Sequence, residues 1–223
     1  SARLRGQMEE AIRDFGDHAR VGADFSDVEQ GTAAPGICRC LFANEFFDAL
    51  PVHILVWRRG RWRERKVGLK GEKLVWLEKD PSLPELSLQA ELGFDASLPN
   101  DRPNGWVAEI RPWAGEWMKR IGTCLAQGEV LLVDYGYTLD EWRGGRFPEG
   151  SALAYRGHRV AEDLLGHPGD QDLTAHVNFT ELVEAGETSG LRLRSLESQA
   201  RFLLAVGEPD EFADVFADCA SEA

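Results

Sequence analysis

The sequence is poor in the residues that build disulfide frameworks and metal clusters, with only four cysteines and five histidines among 223 residues. Cys38 and Cys40 are two apart on a predicted strand, so they share one face and cannot easily bond each other. Cys124 and Cys219 are isolated, and no second ligand pair follows at the spacing of a zinc site. The cysteines therefore indicate a reducing compartment, in which they serve as small core residues.

Long apolar runs and positive charge are also scarce. No run approaches the roughly 20 residues that a membrane-spanning helix needs. The formal net charge of −13 argues against broad binding to nucleic acid or to anionic membranes. No GxGxxG, P-loop, GxSxG or HExxH motif is present. The 43% of hydrophobic residues is nevertheless enough for the core of one large domain or two small ones.

An apolar run that ends in polar residues organises the rest of the chain. Ile37 to Ala43 is predicted to be a buried strand that delivers Asn44 and Glu45 to the edge of a sheet, with a brief helical turn before Pro51. Ligands bind at the carboxyl ends of strands in open α/β sheets. The alternative is a helix cap, in which Asn44 accepts backbone hydrogen bonds and Glu45 lies at the positive end of the helix dipole.

The segment after Pro51 is predicted to be an antiparallel meander inserted in an α/β body. Its three strands are expected at residues 52–58, 61–69 and 73–77, and residues 80–104 are expected to form a long surface connection. The run from Arg58 to Lys66 is basic. It suits a docking surface for an acidic partner or for RNA, or a solvated hairpin face whose arginine stems cover Trp57 and Trp62. The acidic chain favours the solvated face.

A helix and a second buried strand follow. The helix is predicted from Pro112 to about Ala126, with a core-facing stripe of residues that repeat every four positions: Trp113, Trp117, Ile121 and Leu125. The strand is predicted from Glu129 to Asp134, and it again places polar residues, Asp134 and Tyr135, at a sheet edge. A helix followed by a buried strand is typical of the alternating strands and helices of an α/β domain.

Several other elements are predicted with weaker signals. Helices are expected at residues 1–15 and 198–205, a loop at 136–148 and a half-buried strand at 191–196. Asn178 and Glu181 have the spacing of a capping box, which places His176 just before a helix. His176 is a candidate general base, although it also suits a cap or a cross-link in a turn. Arg159 and Asp172 either belong to a site or form one ion pair.

Three motifs together resemble the MidA family. They are the sequence NEFFDALP at 44–51, DYG at 134–136 and PGDQDLTAHVNF at 168–179, accompanied by Tyr155-Arg156 and His158-Arg159. This family comprises bacterial and mitochondrial proteins linked to respiratory complex I assembly, with an S-adenosylmethionine (SAM)-dependent methyltransferase fold. Its mitochondrial branch is an arginine methyltransferase that acts on a complex I subunit. The resemblance covers nearly the whole chain.

The resemblance implies a fold and a set of site residues. The fold is an α/β, Rossmann-like class I methyltransferase sheet that lacks its first strands, in which Asn44 ends the fourth strand and Asp134 the fifth. The implied cofactor is SAM, and a homodimer is compatible with the sequence. The implied site residues are catalytic Glu45, Asp48 and His176, cofactor-binding Asn44, Glu45, Phe46 and Asp27, and substrate-binding Asp134, Tyr135, His158 and Arg159. Asp24 is the alternative to Asp27 at the end of the third strand, where adenine is usually contacted.

The chain departs from the family at its start. The glycine-rich loop after the first strand and the acid after the second are absent, and residues 1–5 look like the segment just after that acid. We therefore expect weak or no SAM binding by this chain alone. Residue 1 is Ser, so an upstream targeting segment is compatible with the sequence, and a bacterial cytoplasmic protein is expected.

Two classes of function follow from this departure. The first is a protein arginine methyltransferase acting on a complex I subunit. The second is a non-catalytic assembly or binding protein for such a subunit or another partner. An RNA-modifying enzyme is disfavoured by the net charge.

Overall fold

The structure is a computed structural model that describes residues 2–14, 40–83, 103–125, 128–161 and 163–207. Its helices are α1 (Ala2–Ala11), α2 (Pro112–Cys124), α3 (Leu139–Arg143), α4 (Phe179–Thr188) and α5 (Gln199–Gly207). Its strands are β1 (Cys40–Asn44), β2 (His53–Arg58), β3 (Arg61–Lys70), β4 (Lys73–Lys79), β5 (Val107–Ile110), β6 (Glu129–Val133), β7 (Gly136–Tyr137), β8 (Leu153–Arg156), β9 (Arg159–Ala161), β10 (Asp172–Thr174) and β11 (Val177–Asn178).

Two parallel strand pairs position the predicted site. β1 pairs with β6 in a register that sets Asn44 opposite Val133, so both carboxyl ends meet at one sheet edge. β11 pairs in parallel with β7. The two strands predicted to end at this edge and the mixed α/β character are confirmed. A turn follows β1, in which the Leu50 N–H donates to the Phe47 carbonyl at 3.3 Å, so the helix-cap alternative is wrong.

A four-stranded antiparallel sheet, in the order β4-β3-β2-β5, occupies the region of the predicted meander. The three predicted strands are present, and β5 is a fourth that the sequence pattern did not indicate. Trp57 and Trp62 are buried and meet edge to face with ring centroids 5.2 Å apart. In the basic run, Arg58 pairs with Glu78 at 2.8 Å, which neutralises part of its charge.

Helix α2 has the predicted bounds within two residues, and its core-facing side includes most of the predicted stripe. Trp113 is 57% exposed, whereas Ala114, Met118 and Ile121 are buried and share a core cluster with Leu182 of α4. Ile121 is buried, and Trp117 and Leu125 pack against the same cluster, so the predicted stripe was wrong only for Trp113. A spacing of four drifts by about 40° per step on a helix of 3.6 residues per turn, which turns Trp113 away from the core. A spacing that alternates between three and four stays on one face.

The loop predicted at residues 136–148 contains β7 and helix α3. Thr138 caps α3 by accepting a hydrogen bond from the Glu141 N–H, and Glu141 accepts one from the Thr138 N–H. A helix of five residues is too short to show a hydrophobic period. The capping pair is therefore the only signal for this helix in the sequence.

The strand predicted at residues 191–196 is not present, and Leu193 and Leu196 are about half exposed. No described strand runs beside this segment to satisfy its backbone. The final helix is confirmed as α5. Cys40 is exposed and Cys124 half-buried, so the expectation that both are core residues was wrong for Cys40.

Some expectations fall outside the described residues: Asp24, Asp27, Cys38, Cys219 and most of the 80–104 connection. Within the described ranges, no group of side chains could hold a metal ion. No helix in those ranges is both long and apolar enough to cross a bilayer.

Candidate active site

The turn after β1 presents Glu45 at the sheet edge. The Glu45 N–H donates to the Val133 carbonyl at 2.8 Å, which continues the β1–β6 ladder by one bond. Glu45 then adopts a φ of 46°, in the left-handed region that non-glycine residues rarely occupy. Its side chain is exposed, while Phe47 is buried and anchors the turn in the core. A strained residue at a strand end is typical of functional sites.

Asp134 ties this turn to the end of β6. One carboxylate oxygen accepts from the N–H groups of Phe47, at 2.9 Å, and Asp48, at 3.3 Å. The other accepts from the N–H of Tyr135 at 2.9 Å. Burial, and then the nearby Asp48 carboxylate, raise the pKa of Asp134. Asp134 therefore organises both strand ends, a role that includes the orientation of the Tyr135 backbone.

Asp48 is buried but only half satisfied. One of its oxygens accepts from the Thr174 hydroxyl at 2.6 Å. The other is buried and has no hydrogen-bond partner among the described residues. Buried acceptors without a partner are rare in folded proteins, because each loses its hydration without compensation. This oxygen is therefore suited to a hydrogen-bond donor or cation that arrives from outside the chain.

Tyr135 connects the carboxylates to His176. Its ring is 58% exposed, and a hydrogen bond to Glu45 is the main cause that raises the pKa of the Tyr135 hydroxyl. The same ring meets the His176 ring edge-on, with centroids 6.4 Å apart. A carboxylate, a phenol and an imidazole thus lie side by side at the carboxyl end of β6.

His176 is held through its backbone and its ring. Its N–H donates to the Ser151 hydroxyl oxygen at 2.8 Å, and Ser151 in turn donates to the buried Glu109 carboxylate. Its ring stacks on Phe147 with centroids 4.4 Å apart. Burial is the main cause that lowers the pKa of His176. The imidazole is therefore neutral near pH 7 and able to accept a proton.

Arg111 is a buried residue that the sequence analysis missed. Its guanidinium donates to four backbone carbonyls in two segments, namely those of Asp48, Leu50, Ala175 and His176, at 2.8 to 3.4 Å. It thereby clamps the turn after β1 against the segment that carries His176. No sequence pattern indicated its role, because strand β5, which ends directly before Arg111, was itself not predicted.

The structure brings some predicted site residues together and leaves others apart. Glu45, Asp48, Asp134, Tyr135 and His176 converge as described above. His158 and Arg159 lie at the β8–β9 turn, where Arg159 pairs with Arg156. Arg156 is three residues along β8 from Leu153, which pairs with Thr174 in the segment that leads to His176. At 3.3 Å per residue, this separation is about 10 Å.

The positions of four other predicted residues, Arg159, Asp172, Asn44 and Phe46, are also defined by the structure. Arg159 and Asp172 do not form an ion pair among the described residues; in the strand register Asp172 lies opposite Tyr155, and Arg159 lies opposite Arg156. Asn44 is exposed at the end of β1. Phe46 meets Trp117 edge to face at 5.0 Å, in the core beneath the site.

The comparisons with known proteins assign the chain to a family. The model of a family described as "Putative S-adenosyl-L-methionine-dependent methyltransferase" matches residues 1–196. The chain belongs to this family. The match spans both strand ends and the His176 segment, so the methyltransferase resemblance found in the sequence is confirmed.

Named relatives make the family more specific. Protein arginine methyltransferase NDUFAF7, mitochondrial, from Xenopus tropicalis is 32% identical over 61% of this chain and 29% of its own length. The protein of the same name from Danio rerio is 29% identical over 75% of this chain and 39% of its own length. The chain therefore spans about a third of the length of these relatives.

A solved structure supports the same assignment. A methyltransferase-like protein from Burkholderia thailandensis, bound to S-adenosyl-homocysteine, superposes with a TM-score of 0.71 at 30% identity. The match covers 83% of this chain and 46% of that one.

The described residues fit one end of the family's cofactor. SAM carries a positive sulfonium beside the methyl group that it transfers, and the site offers the carboxylates of Glu45, Asp48 and Asp134. These groups favour a cation, and the buried Asp48 oxygen without a partner among the described residues can accept a hydrogen bond from a donor. No two glycines of this sequence are separated by a single residue, the spacing with which a GxGxxG loop begins.

Proposed function

We propose that this chain forms the methyl-transfer end of a SAM-dependent methyltransferase, and that the glycine-rich part of the cofactor site lies outside it. The observation that carries the proposal is the convergence of Glu45, Asp48, Tyr135 and His176 where the parallel strands β1 and β6 end. That edge is where α/β folds bind their ligands. The family assignment supplies the reaction class.

Asn44, Glu45 and Phe46 are proposed to line the cofactor, with Asp27 at the adenine end. Asn44 offers an exposed amide at the end of β1, and Phe46 supports the turn by packing on Trp117. The bound cofactor supplies an electrophilic methyl group. The role of this segment is to hold that group beside the carboxylate edge and to favour its positive charge.

Glu45, Asp48 and His176 are proposed to carry the chemistry at the acceptor. A nitrogen nucleophile gains an N–CH₃ bond while the S–CH₃ bond breaks, and the nitrogen must release one proton. Glu45 orients the nucleophile and accepts that proton, and the neutral His176 is the second base within the same cluster. Asp48, fixed by Thr174, supports the same charge from below.

The proposed acceptor is an arginine side chain of a protein. A guanidinium presents only donors, and the site presents carboxylate acceptors, including one buried oxygen without a partner. Two relatives are named protein arginine methyltransferases. Tyr135 and Asp134 form the near side of the substrate surface, and His158 and Arg159 contact the protein substrate further out. The MidA resemblance makes a complex I subunit the proposed target.

A non-catalytic assembly protein is the second proposal. It rests on the absence of a glycine-rich turn within these 223 residues. In that case the same acidic edge binds a partner without modifying it.

Mass spectrometry of candidate substrate proteins tests the choice. The proteins are incubated with SAM and a form of this chain extended upstream along its own gene. Methylarginine that appears with the parent and is lost in Glu45→Gln, but not in the exposed control Glu72→Gln, supports the methyltransferase. Stable binding of a partner without any methylarginine supports the assembly protein.

A further inference from the structure

The His176 ring is one layer of a three-layer stack. The Phe147 ring lies against it at a centroid distance of 4.4 Å and an interplanar angle of 27°. The Arg146 guanidinium lies over the same phenyl ring, 5.2 Å from its centroid. Tyr135 meets His176 at its edge, at 79°. The flat face of the imidazole is therefore covered by Phe147, and the Tyr135 side is where the proposed site lies.

The backbone presents Phe147 in an uncommon conformation. Its φ is 57°, in the left-handed region that aromatic residues seldom occupy. The strain persists because two hydrogen bonds hold the loop at Phe147 and Pro148. The Gly150 N–H donates to the Phe147 carbonyl at 3.0 Å, and the Val107 N–H donates to the Pro148 carbonyl at 2.9 Å. The ring also contacts Tyr137, with centroids 5.9 Å apart. A strained residue that is held in this way is a common feature of functional sites.

We propose that Phe147 is a positioning residue that holds the His176 ring in one orientation, with its edge toward Tyr135 and Glu45. Neither the sequence motifs nor the family match assigns a role to this residue. The proposal rests on the proposed function only in giving His176 a task. The geometry of the stack does not depend on which reaction the site performs.

The charged groups around His176 agree with this role. Glu109 and Asp48 favour the protonated imidazole, whereas burial and Arg146 disfavour it, and the balance lowers the pKa of His176. Arg111 contacts the His176 carbonyl rather than its ring. Phe147 contributes to burial of the imidazole and lies between it and Arg146. It therefore keeps the imidazole neutral as well as oriented.

Nuclear magnetic resonance of the histidine rings in this chain tests the proposal without cofactor or substrate. His176→Gln identifies the His176 signals among the five histidines. In the parent, ring current from Phe147 should shift them upfield. In Phe147→Leu that shift should vanish and the pKa of His176 should rise. In Arg146→Gln the shift should remain while the pKa rises, because only the cation is lost. Phe147→Tyr should restore both properties.

Matched controls separate these effects from general loosening of the fold. Trp113→Leu removes an exposed aromatic ring elsewhere, and Arg143→Gln removes a cation one turn earlier; neither should move the His176 signals. Unchanged His176 signals in a folded Phe147→Leu variant would overturn the proposal. If the proposed function failed, methyl transfer would be absent from every variant while these signals still responded. If the proposal alone failed, transfer would persist without any response of the signals.

Discussion

The carboxylate of Asp134 accepts a hydrogen bond from the backbone N–H of Phe47, 87 residues earlier in the chain, at 2.9 Å. This contact joins the ends of two parallel strands and fixes the turn that carries Glu45. Asp134, which the sequence predicted to bind substrate, therefore also has a structural role. Any effect of Asp134 on a reaction would pass through the geometry of this turn.

Asp134→Ala should lower the free energy of unfolding by about 1–3 kcal/mol. The substitution leaves the N–H groups of Phe47 and Asp48 without their acceptor, and such groups are costly when desolvated. Removal of the repulsion between the two carboxylates offsets part of the loss. Urea denaturation measures the change, with the exposed Asp170→Ala as the control. Equal midpoints for the two variants would show that the contact does not stabilise the fold.

Arg111→Ala should destabilise the chain more strongly, by about 3 kcal/mol or more. Four carbonyls lose their donor at once in a buried environment. Arg111→Lys should recover only part of the loss, because an ammonium cannot reproduce the planar fork. Thermal melting of both variants measures this, with the exposed Arg192→Ala as the reference. A Lys variant as stable as the parent would mean that charge alone matters.

Glu45→Gln should reduce methyl transfer by roughly 10²–10⁴-fold in a SAM-binding form of the protein, the range expected for loss of a general base. The fold should remain intact, because the side chain is exposed. Single-turnover assays with labelled SAM measure the rate. Undiminished transfer by the Gln variant would remove Glu45 from the mechanism.

His176→Ala should lower turnover more than SAM affinity. Burial lowers the pKa of His176, so its imidazole stays neutral at pH values where an ordinary histidine is already protonated. The rate of the parent should therefore fall only below the ordinary histidine pKa of about 6.5. A pH–rate profile and a SAM titration separate the two effects, with the exposed His167→Ala as the control. A variant that loses affinity but keeps its turnover would move His176 to the cofactor side.

Glu181 predicts a dependence of stability on pH. Burial raises its pKa from 4.5 to about 7 in the folded state. The folded chain therefore binds this proton more tightly than the unfolded chain, and stability falls as pH rises between these values. Glu181→Gln should be more stable than the parent at pH 8 by roughly 1–3 kcal/mol, and close to it at pH 4. The exposed Glu187→Gln on the same helix serves as the control. Parallel stability curves for parent and Glu181→Gln would contradict this account.

The sequence predicted the strand ends better than the packing between them. β1 and β6 were predictable because each is an apolar run that stops at polar residues. The N-cap of α4 was predictable because Asn178 and Glu181 have capping spacing, and Asn178 indeed accepts from the Thr180 N–H. These signals are local, and a single chain segment contains all of the information.

Other features depend on partners that are far apart in sequence. Arg111 matters because four carbonyls of distant turns converge on it, and Phe147 because a strained loop lays its ring on His176. Trp113 is exposed because α4 covers the neighbouring face of α2. The segment 191–196 alternates like a strand but has no described partner strand. No local pattern contains these relationships.

Calorimetric titration of SAM tests the central claim most directly. The titration compares this chain with the same chain extended upstream by about 130 residues of its own gene, enough to complete a domain of this kind. The account predicts binding to the extended form and weak or no binding to this chain, with Asp48→Ala weakening the extended form. Tight binding by this chain alone would show that the glycine-rich part is not required. Absence of binding by either form would contradict the methyltransferase proposal and favour the assembly protein.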